Sequence, residues 1–185
     1  MAAVALDLAT KTGVATWYSG TAAPVFSTLH LPSDPGLVAR PMEKLRAHLA
    51  DLHAIEPIEY LFFEVAILPQ PKVQDGRAVM RTTADTVYKL CALAGMAEWF
   101  AHRIGAKCRS VEQQNWRKHF TGRGTGKSAD LKAAAIQAAK MRGWNVTTDH
   151  EADALGVLDY GLACMNVTTP WRDAHLMGGG MGSAA

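Results

Sequence analysis

Three acidic residues of this chain stand in apolar surroundings, where a carboxylate is costly. Asp7, Glu64 and Asp153 each end or interrupt a run of apolar residues. Burial of a carboxylate in such a run is unfavourable unless a cation, a proton or several hydrogen bonds replace the lost water. Three buried carboxylates are also what a divalent-metal site for phosphoryl transfer requires, because Mg²⁺ prefers oxygen ligands. We therefore predict that these three residues bind a divalent metal ion.

Each of these assignments has a structural alternative. Asp7 lies close to a Thr-Gly turn, where a hydrogen-bonded aspartate is common. Glu64 could emerge from the end of a strand into solvent, although the apolar residues 65–68 that follow offer no polar rim. Asp153 has the weakest alternative, because an unpaired acid is rare on a helix that is otherwise apolar.

Two further candidates precede Asp153 along the chain. His150 lies three residues before it, a spacing that places both side chains on nearly the same face of a helix. An imidazole there can bind the metal ion or accept a proton from the attacking water, whereas the alternative is a surface histidine at a helix start. Asp149 follows two threonines, so we interpret it first as the N-cap of the last helix and second as a metal ligand in place of His150.

The positive charge of the chain is concentrated in one segment. Residues 102–142 contain ten Lys or Arg residues and two acidic residues, whereas the net charge of the whole chain is +2. Trp116, His119 and Phe120 lie between these basic residues. Basic segments with interleaved aromatic residues are typical of nucleic-acid binding, since each phosphate contact releases counterions. The alternative interpretation of these basic residues is a solvent-exposed helix face. The predicted acidic metal site favours nucleic-acid binding over this alternative.

Lys127 follows glycines at positions 122, 124 and 126, in a pattern similar to a phosphate-binding loop. The spacing is not that of a P-loop, and no strand directly precedes it. We interpret Lys127 as a phosphate clamp, with an ordinary lysine at a helix start as the alternative. Basic side chains on loops contact the nucleic-acid backbone more often than they read bases. The predicted backbone contacts are all basic residues: Lys11, Lys72, Arg77, Arg81, Arg117, Lys118, Arg123 and Lys127.

The composition is that of a folded protein with one domain. The 185 residues are 49% hydrophobic, which is enough to build a full core. We predict a domain over residues 1–170 and a glycine-rich flexible tail over 171–185. The three cysteines form no disulfide or zinc pattern, and neither a secretory leader nor a membrane-spanning run is recognisable. We expect a cytoplasmic protein that does not interact with membranes.

Hydrophobic patterns predict the elements that would position the acidic residues. The predicted strands cover residues 2–9, 13–19, 24–31, 58–64 and 106–110, and the predicted helices cover 37–55, 78–104, 112–119, 127–142 and 150–165. The first three strands have short connections and should form an antiparallel meander. The expected fold class is α/β, with a mixed sheet flanked by helices. If the first and fourth strands are parallel neighbours, Asp7 and Glu64 converge at the sheet end where α/β proteins bind ligands.

In type and order, these residues resemble the RuvC-type Holliday junction resolvases of the RNase H-like nuclease superfamily. The resemblance covers residues 2–165 and rests on four segments, at positions 7–13, 63–65, 116–124 and 150–155. None of these segments is specific by itself, whereas their shared order and spacing are. The implied fold is an RNase H-like mixed sheet, with the three-stranded meander joined by parallel strands.

The resemblance implies an enzyme of DNA recombination and repair. Such an enzyme is a homodimer that binds four-way DNA junctions and hydrolyses phosphodiester bonds symmetrically, with two Mg²⁺ ions for which Mn²⁺ substitutes. Asp7 would bridge both ions, and Glu64 and Asp153 would each bind one. His150 would orient or deprotonate the attacking water, and Lys127 would offset charge on the reacting phosphate. A phage or prophage origin is compatible with so short a chain.

The chain departs from the family pattern at three places. First, Leu-Ala at 8–9 replaces the glycine that follows the first aspartate in the family. Second, the spacing from Gly124 to Lys127 is one residue shorter than in some members. Third, Ile-Leu at 67–68 stands where some relatives have an aromatic wedge. The third difference leaves the residues that open the junction undetermined. Two alternative functions remain: an RNase H-like nuclease for RNA or for other branched or duplex DNA, and a non-catalytic junction-binding module.

Overall fold

The computed structural model describes residues 1–33, 36–65, 72–74, 77–79 and 83–172. The strands are β1 (Ala2–Asp7), β2 (Lys11–Tyr18), β3 (Val25–His30), β4 (Ile58–Glu64), β5 (Lys72–Gln74), β6 (Arg77–Val79) and β7 (Lys107–Val111). The helices are α1 (Ala39–Ile55), α2 (Ala84–Ile104), α3 (Gln113–Thr121), α4 (Ser128–Met141) and α5 (Asp149–Cys164).

Five strands form one mixed sheet in the order β3-β2-β1-β4-β7. β1, β2 and β3 form the predicted antiparallel meander. β4 pairs in parallel with β1 on one side and with β7 on the other. The predicted fold class is therefore confirmed, and the first and fourth strands are the parallel neighbours on which the convergence of Asp7 and Glu64 depended.

The start of the second long helix differs from the prediction. A helix was expected from residue 78, but Arg77–Val79 is a strand that pairs with Lys72–Gln74 in a separate two-stranded sheet. α2 begins at Ala84, where the side chain of Thr83 accepts a hydrogen bond from the backbone N–H of Thr86. A β-branched residue with a hydroxyl favours a cap over a helix interior, so the helix begins later than its hydrophobic pattern.

Side-chain alternation along β1 divides the core into two layers. Ala3 and Ala5 pack with residues of α3, α4 and α5, whereas Val4 and Leu6 pack with residues of α1 and α2. Because successive side chains of a strand point to opposite faces, Asp7 continues the first series. The carboxylate at the end of β1 therefore faces the layer that contains α5.

α5 is buried to an unusual degree for a helix that carries charged residues. Residues 151–159 are all buried, and they include Asp153 and Asp159. A buried carboxylate has no water to stabilise it. Both acids therefore depend on partners elsewhere in the protein.

Asp159 anchors the end of the described chain. Trp171 Nε1 donates to Asp159 Oδ1 at 2.8 Å, and the Arg172 guanidinium forms an ion pair with the same carboxylate. The Trp171 ring packs edge-on against Trp17 and Trp144, each at a centroid distance of 5.5 Å. Trp171 and Arg172 therefore pack onto the domain, and residues 173–185 of the predicted tail lie outside the described residues.

Two observations concern membrane-spanning helices and the cysteines. Within the described ranges, no helix is both long enough and apolar enough to cross a membrane. Cys91, Cys108 and Cys164 are free thiols.

Candidate active site

Asp7 and Glu64 lie at the carboxyl ends of neighbouring parallel strands, on the same face of the sheet. Ala5 pairs with Phe62 in the parallel register of β1 and β4, and both residues pack in the layer that contains α5. Asp7 and Glu64 each follow two residues later, so alternation directs both carboxylates toward that layer. The pairing of β1 with β4 thus brings together two acids that are far apart in sequence.

The first turns of α5 complete the group. Asp7, Asp149, His150 and Asp153 line one cavity of about 370 Å³, together with residues of α3 and α4. Glu64 does not line this cavity, but it lies close enough for the charges of Asp7 and Asp153 to act on it. The structure therefore places every acidic residue of the predicted site at one end of the sheet.

Gly13 explains how α5 comes so close to the sheet. It pairs with Asp7 across the β1–β2 hairpin. A Cβ atom at this position would lie 1.9 Å from the carbonyl oxygen of His150, so a side chain there would push α5 away. The glycine of the first sequence segment is thus required by packing, because it lets His150 reach Asp7.

Asp7 and His150 are joined by a hydrogen bond. His150 Nδ1 lies 2.8 Å from Asp7 Oδ2, and both side chains are largely buried. The bond to Asp7 raises the pKa of His150 above its ordinary value, against the opposing effect of burial. With Nδ1 directed at the carboxylate, Nε2 is the ring nitrogen left to accept a proton.

Asp153 is buried beside Arg117. Arg117 Nη2 donates to Asp153 Oδ2 at 3.2 Å, whereas the buried Oδ1 has no hydrogen-bond partner among the described residues. Burial, and then the charge of Asp7, raise the pKa of Asp153 to about 6 even though Arg117 acts to lower it. Asp153 Oδ1 is therefore removed from water and receives no hydrogen bond from the described part of the protein.

Glu64 is held by two neutral donors on α3. Gln113 Nε2 donates to Oε1 at 2.7 Å, and Trp116 Nε1 donates to Oε2 at 2.8 Å. Burial raises the pKa of Glu64 to about 7, and the bond from Trp116 partly opposes this rise. Neither donor can be recognised from the sequence beyond its helical spacing beside Arg117.

The predicted helix cap at Asp149 is wrong. Thr148 is the N-cap of α5, and its side chain accepts from the backbone N–H of Glu151 while Glu151 returns a bond to Thr148 in a capping box. Asp149 is instead the first residue of the helix and forms an ion pair with Lys132 of α4. Lys132, which also lines the cavity, was not singled out in the sequence.

The predicted nucleic-acid contacts occupy different environments. Arg117 is only 7% exposed and pairs with Asp153, so it lies within the acidic site and not on the surface. Trp116 and Phe120 belong to the core, which contradicts their interpretation as aromatic residues that face a nucleic acid. The side chain of His119 is exposed to about a third, and its Nε2 lies 3.3 Å from Asp159 Oδ2.

The remaining predicted contacts are exposed where the structure describes their side chains. This group comprises Lys11, Lys118, Arg123 and Lys127. Lys127 is the N-cap residue of α4, and its neighbours Gly126 and Ser128 line the cavity. Lys72 and Arg77 lie in β5 and β6, and Arg81 lies outside the described residues.

A divalent cation requires several oxygen ligands that converge on one point. In the described ranges, no three acidic, histidine or cysteine side chains are arranged to hold one metal ion. Each carboxylate is held by its own donor, His150, Arg117 or the Gln113–Trp116 pair. The donor set is nevertheless rich in oxygen, and the buried Asp153 Oδ1 lacks a described partner. These two features fit a hard divalent cation, provided that the side chains shift to bind it.

Comparison with known proteins reveals similarity at the level of structure. No protein-family model matches the sequence, and no curated protein matches it. The structure of RuvC from Thermus thermophilus matches with a TM-score of 0.61 and 16% identity, covering 92% of this chain and 99% of that chain. T. thermophilus RuvC in complex with Holliday junction substrate matches with a TM-score of 0.62 and 14% identity, over the same shares. Both matches are to a bacterial protein and give no support to a phage origin. The chain therefore has the mixed-sheet fold of the RuvC structures.

Proposed function

We propose that this chain is a Mg²⁺-dependent endonuclease that resolves four-way DNA junctions by symmetric hydrolysis of phosphodiester bonds. The observation that carries the proposal is the meeting of Asp7, Glu64 and Asp153 at the carboxyl ends of β1 and β4. It occurs in a fold that is similar over 92% of the chain to RuvC in complex with Holliday junction substrate. Neither the fold nor the carboxylates alone would distinguish a junction enzyme from other proteins.

Asp7, Glu64 and Asp153 are the residues that would hold the metal ions. Asp7 is the proposed bridging ligand, and its charge acts on both Glu64 and Asp153. We propose two Mg²⁺ ions, with Mn²⁺ as a substitute. When bound, these ions supply an activated water and stabilise the charge of the leaving 3′ oxygen. His150 is the fourth ligand in this proposal, and Asp149 is the alternative.

A second proposed role of His150 is to move a proton. Asp7 holds Nδ1, so the ring is fixed in one orientation with Nε2 left to accept a proton from water. His150 must be neutral to do this. Its pKa is raised by the bond to Asp7, so the neutral form is reached at a higher pH than for a free histidine.

The exposed basic residues are proposed to bind the DNA backbone. Lys127 stands at the start of α4 beside the cavity, where an ammonium group would contact the phosphate at the cleavage site. Lys118 and Arg123 are exposed close by in the chain, and Lys11 is exposed at the start of β2. For Lys72, Arg77 and Arg81 the proposal rests on the sequence alone. Arg117 is assigned to Asp153 and not to DNA, because its guanidinium is buried.

A homodimer is part of the proposal, since a four-way junction has two equivalent strands to cut. α1 and α2 form an apolar groove of about 610 Å³, with Met42, Met96 and Trp99 among its lining residues. Trp99 is 52% exposed, and Leu37 beside the start of α1 is 60% exposed. Large apolar side chains of this exposure favour a protein–protein contact at this groove.

A cleavage assay with a set of labelled substrates tests the proposal. The protein should be incubated with mobile and fixed four-way junctions, flaps, RNA–DNA hybrids and linear duplexes, with and without Mg²⁺. We expect paired nicks at symmetric positions of the four-way junctions, in the presence of Mg²⁺ only. Preferred cleavage of hybrids or duplexes would identify a different nuclease. Tight junction binding without nicks would identify a binding module.

A further inference from the structure

One face of α3 holds two of the three acidic residues. Gln113, Trp116 and Arg117 have the spacing that places side chains on one face of a helix. Gln113 and Trp116 donate to the two oxygens of Glu64 at 2.7 and 2.8 Å, and Arg117 donates to Asp153. A single helix thus joins the carboxylate at the end of β4 to the carboxylate on α5.

The indole of Trp116 is locked in place. The residue is fully buried, and a Cβ atom at Gly156 would lie 2.5 Å from its ring. The guanidinium of Arg117 lies 5.0 Å from the centroid of the same ring. Because Gly156 of α5 and Arg117 of α3 confine the ring, the packing of these two helices sets the direction of its N–H toward Glu64.

We propose that Gln113 and Trp116 are positioning residues that orient the carboxylate of Glu64 for a divalent cation. A carboxylate has about four lone-pair sites, and the two donors occupy one on each oxygen. Both donors are neutral, so they orient Glu64 without cancelling the negative charge that attracts a cation. This inference rests on the proposed function, because it takes Glu64 as a ligand of the metal ions.

The alternative is that these bonds only compensate for the burial of Glu64. In that case their loss would change stability and leave cation affinity unaffected. The two roles therefore differ in what they do to cation binding in the folded protein.

The primary test is calorimetric titration of the purified protein with Mn²⁺ and with Mg²⁺. Gln113→Leu removes the donor at nearly constant size, and Gln114→Leu is the matched control because Gln114 is exposed on the same helix. Loss of a residue that orients a ligand costs about 10- to 100-fold in metal affinity. We expect a loss of this order in Gln113→Leu and no change in Gln114→Leu. Equal affinities in wild type and Gln113→Leu, with both folded by circular dichroism, would overturn the inference.

The second test follows the indole N–H of Trp116 by NMR spectroscopy. The chain contains five tryptophans, so a ¹H–¹⁵N spectrum of labelled protein should contain five indole signals. We expect one signal to move when Mg²⁺ is added, and the same signal to move in Glu64→Gln without Mg²⁺. Trp116→Phe, if folded, should lack this signal. A signal that responds to Glu64→Gln but not to Mg²⁺ would count against the positioning role.

The outcomes separate this inference from the proposed function. Cation binding that depends on Gln113, in a protein that cleaves none of the substrates, would uphold the inference and reject the nuclease. Cleavage with full activity and full cation affinity in Gln113→Leu would reject the inference and uphold the nuclease. A wild-type protein that binds no divalent cation would reject both.

Discussion

At the scale of single residues, the site is a set of carboxylates that each have a dedicated donor. Asp7 is paired with His150, Asp153 with Arg117, and Glu64 with two donors on α3. Burial raises the pKa of Glu64 to about 7 and that of Asp153 to about 6. Carboxylates that are costly to ionise are the ones that gain most from a cation, so their chemistry and their burial are linked.

Asp7→Asn is expected to abolish cleavage and to preserve junction binding. The substitution removes the charge at the centre of the acidic group and leaves exposed residues such as Lys118 and Arg123 in place. Loss of the proposed bridging ligand should lower the rate by at least about 100-fold, by analogy with the loss of one electrostatic contact in other enzymes. Gel-based nicking assays and fluorescence anisotropy with the same junction measure the two properties. Unchanged cleavage would contradict the assignment of the metal site.

His150→Ala should lose far more cleavage rate than junction affinity. If Nε2 accepts a proton, wild-type cleavage should fall as the pH drops through the titration range of His150, which the bond to Asp7 shifts upward. His150→Asp should retain substantial Mg²⁺-dependent nicking with a pH profile moved to lower pH, because a carboxylate also binds the cation. Asp149→Asn is the control that separates the two candidates. A wild-type rate in His150→Ala together with an inactive Asp149→Asn would transfer the role to Asp149.

Asp159, which is buried in α5 like Asp153, has a structural role. Although burial alone would raise its pKa, a bond to His119, the charge of Arg172 and a bond from Trp171 lower the pKa of Asp159 to about 2, from an ordinary value of 3.8. A lowered pKa stabilises the folded state above the ordinary value, and this stabilisation is lost as the pH falls toward the lowered value.

Asp159→Asn should therefore reduce the free energy of unfolding at neutral pH by about 2 kcal/mol, given about 1.4 kcal/mol per pKa unit. The difference from wild type should shrink as the pH is lowered from about 5 to about 2, where the wild-type carboxylate becomes protonated. Urea unfolding followed by tryptophan fluorescence measures both quantities. A difference that stays constant over this range would show that charge is not the cause.

At the scale of secondary-structure elements, the site depends on how closely α5 approaches the β1–β2 hairpin. The capping box at Thr148 fixes where α5 begins, and Gly13 allows its first turn to contact the sheet. Asp149, His150 and Asp153 all lie on this part of the helix. A small displacement of one element would thus separate three site residues from Asp7.

Gly13→Ala is expected to disturb the site more than the fold. The added Cβ would lie 1.9 Å from the His150 carbonyl oxygen, so α5 or the hairpin must move, at a cost of about 1–3 kcal/mol. We expect a lower melting temperature and a loss of cleavage out of proportion to it, with junction binding retained. Thermal unfolding and nicking of the same preparation provide the comparison. Wild-type activity would show that the close contact is not needed to hold His150 against Asp7.

At the scale of the whole molecule, the helix layers on the two faces of the sheet carry different surface features. α3, α4 and α5 build the acidic cavity on one face, whereas α1 and α2 cover the other and leave an apolar groove between them. The proposed dimer contact therefore lies on the helix layer opposite the site. This arrangement would leave the site of each subunit accessible to DNA.

Trp99→Glu should convert the proposed dimer into a monomer. A charge placed in an apolar contact is desolvated without a partner, and Trp99 is exposed enough to accept it without disturbing the core. Light scattering at micromolar concentration, with and without a junction, should give a dimer for wild type and a monomer for the variant. A monomeric mass for the wild type in both conditions would refute the dimer.

The sequence alone was sufficient to single out the three acidic residues and to predict a mixed sheet. A carboxylate inside an apolar run is visible locally because its cost does not depend on the details of packing. The antiparallel meander was also readable, since the short connections between the first three strands specify it. The parallel pairing of β1 with β4 could be stated as a condition, and it proved correct.

Only the tertiary structure decided which charged and aromatic residues serve the site. Arg117 and Lys118 are neighbours in one basic segment, yet the first is buried against Asp153 and the second is exposed. Gln113 and Trp116 carry no mark in the sequence that connects them to Glu64. The physical reason is that a helix presents adjacent residues about 100° apart, so burial depends on which face packs against the sheet. That choice is made by contacts between elements far apart in the chain.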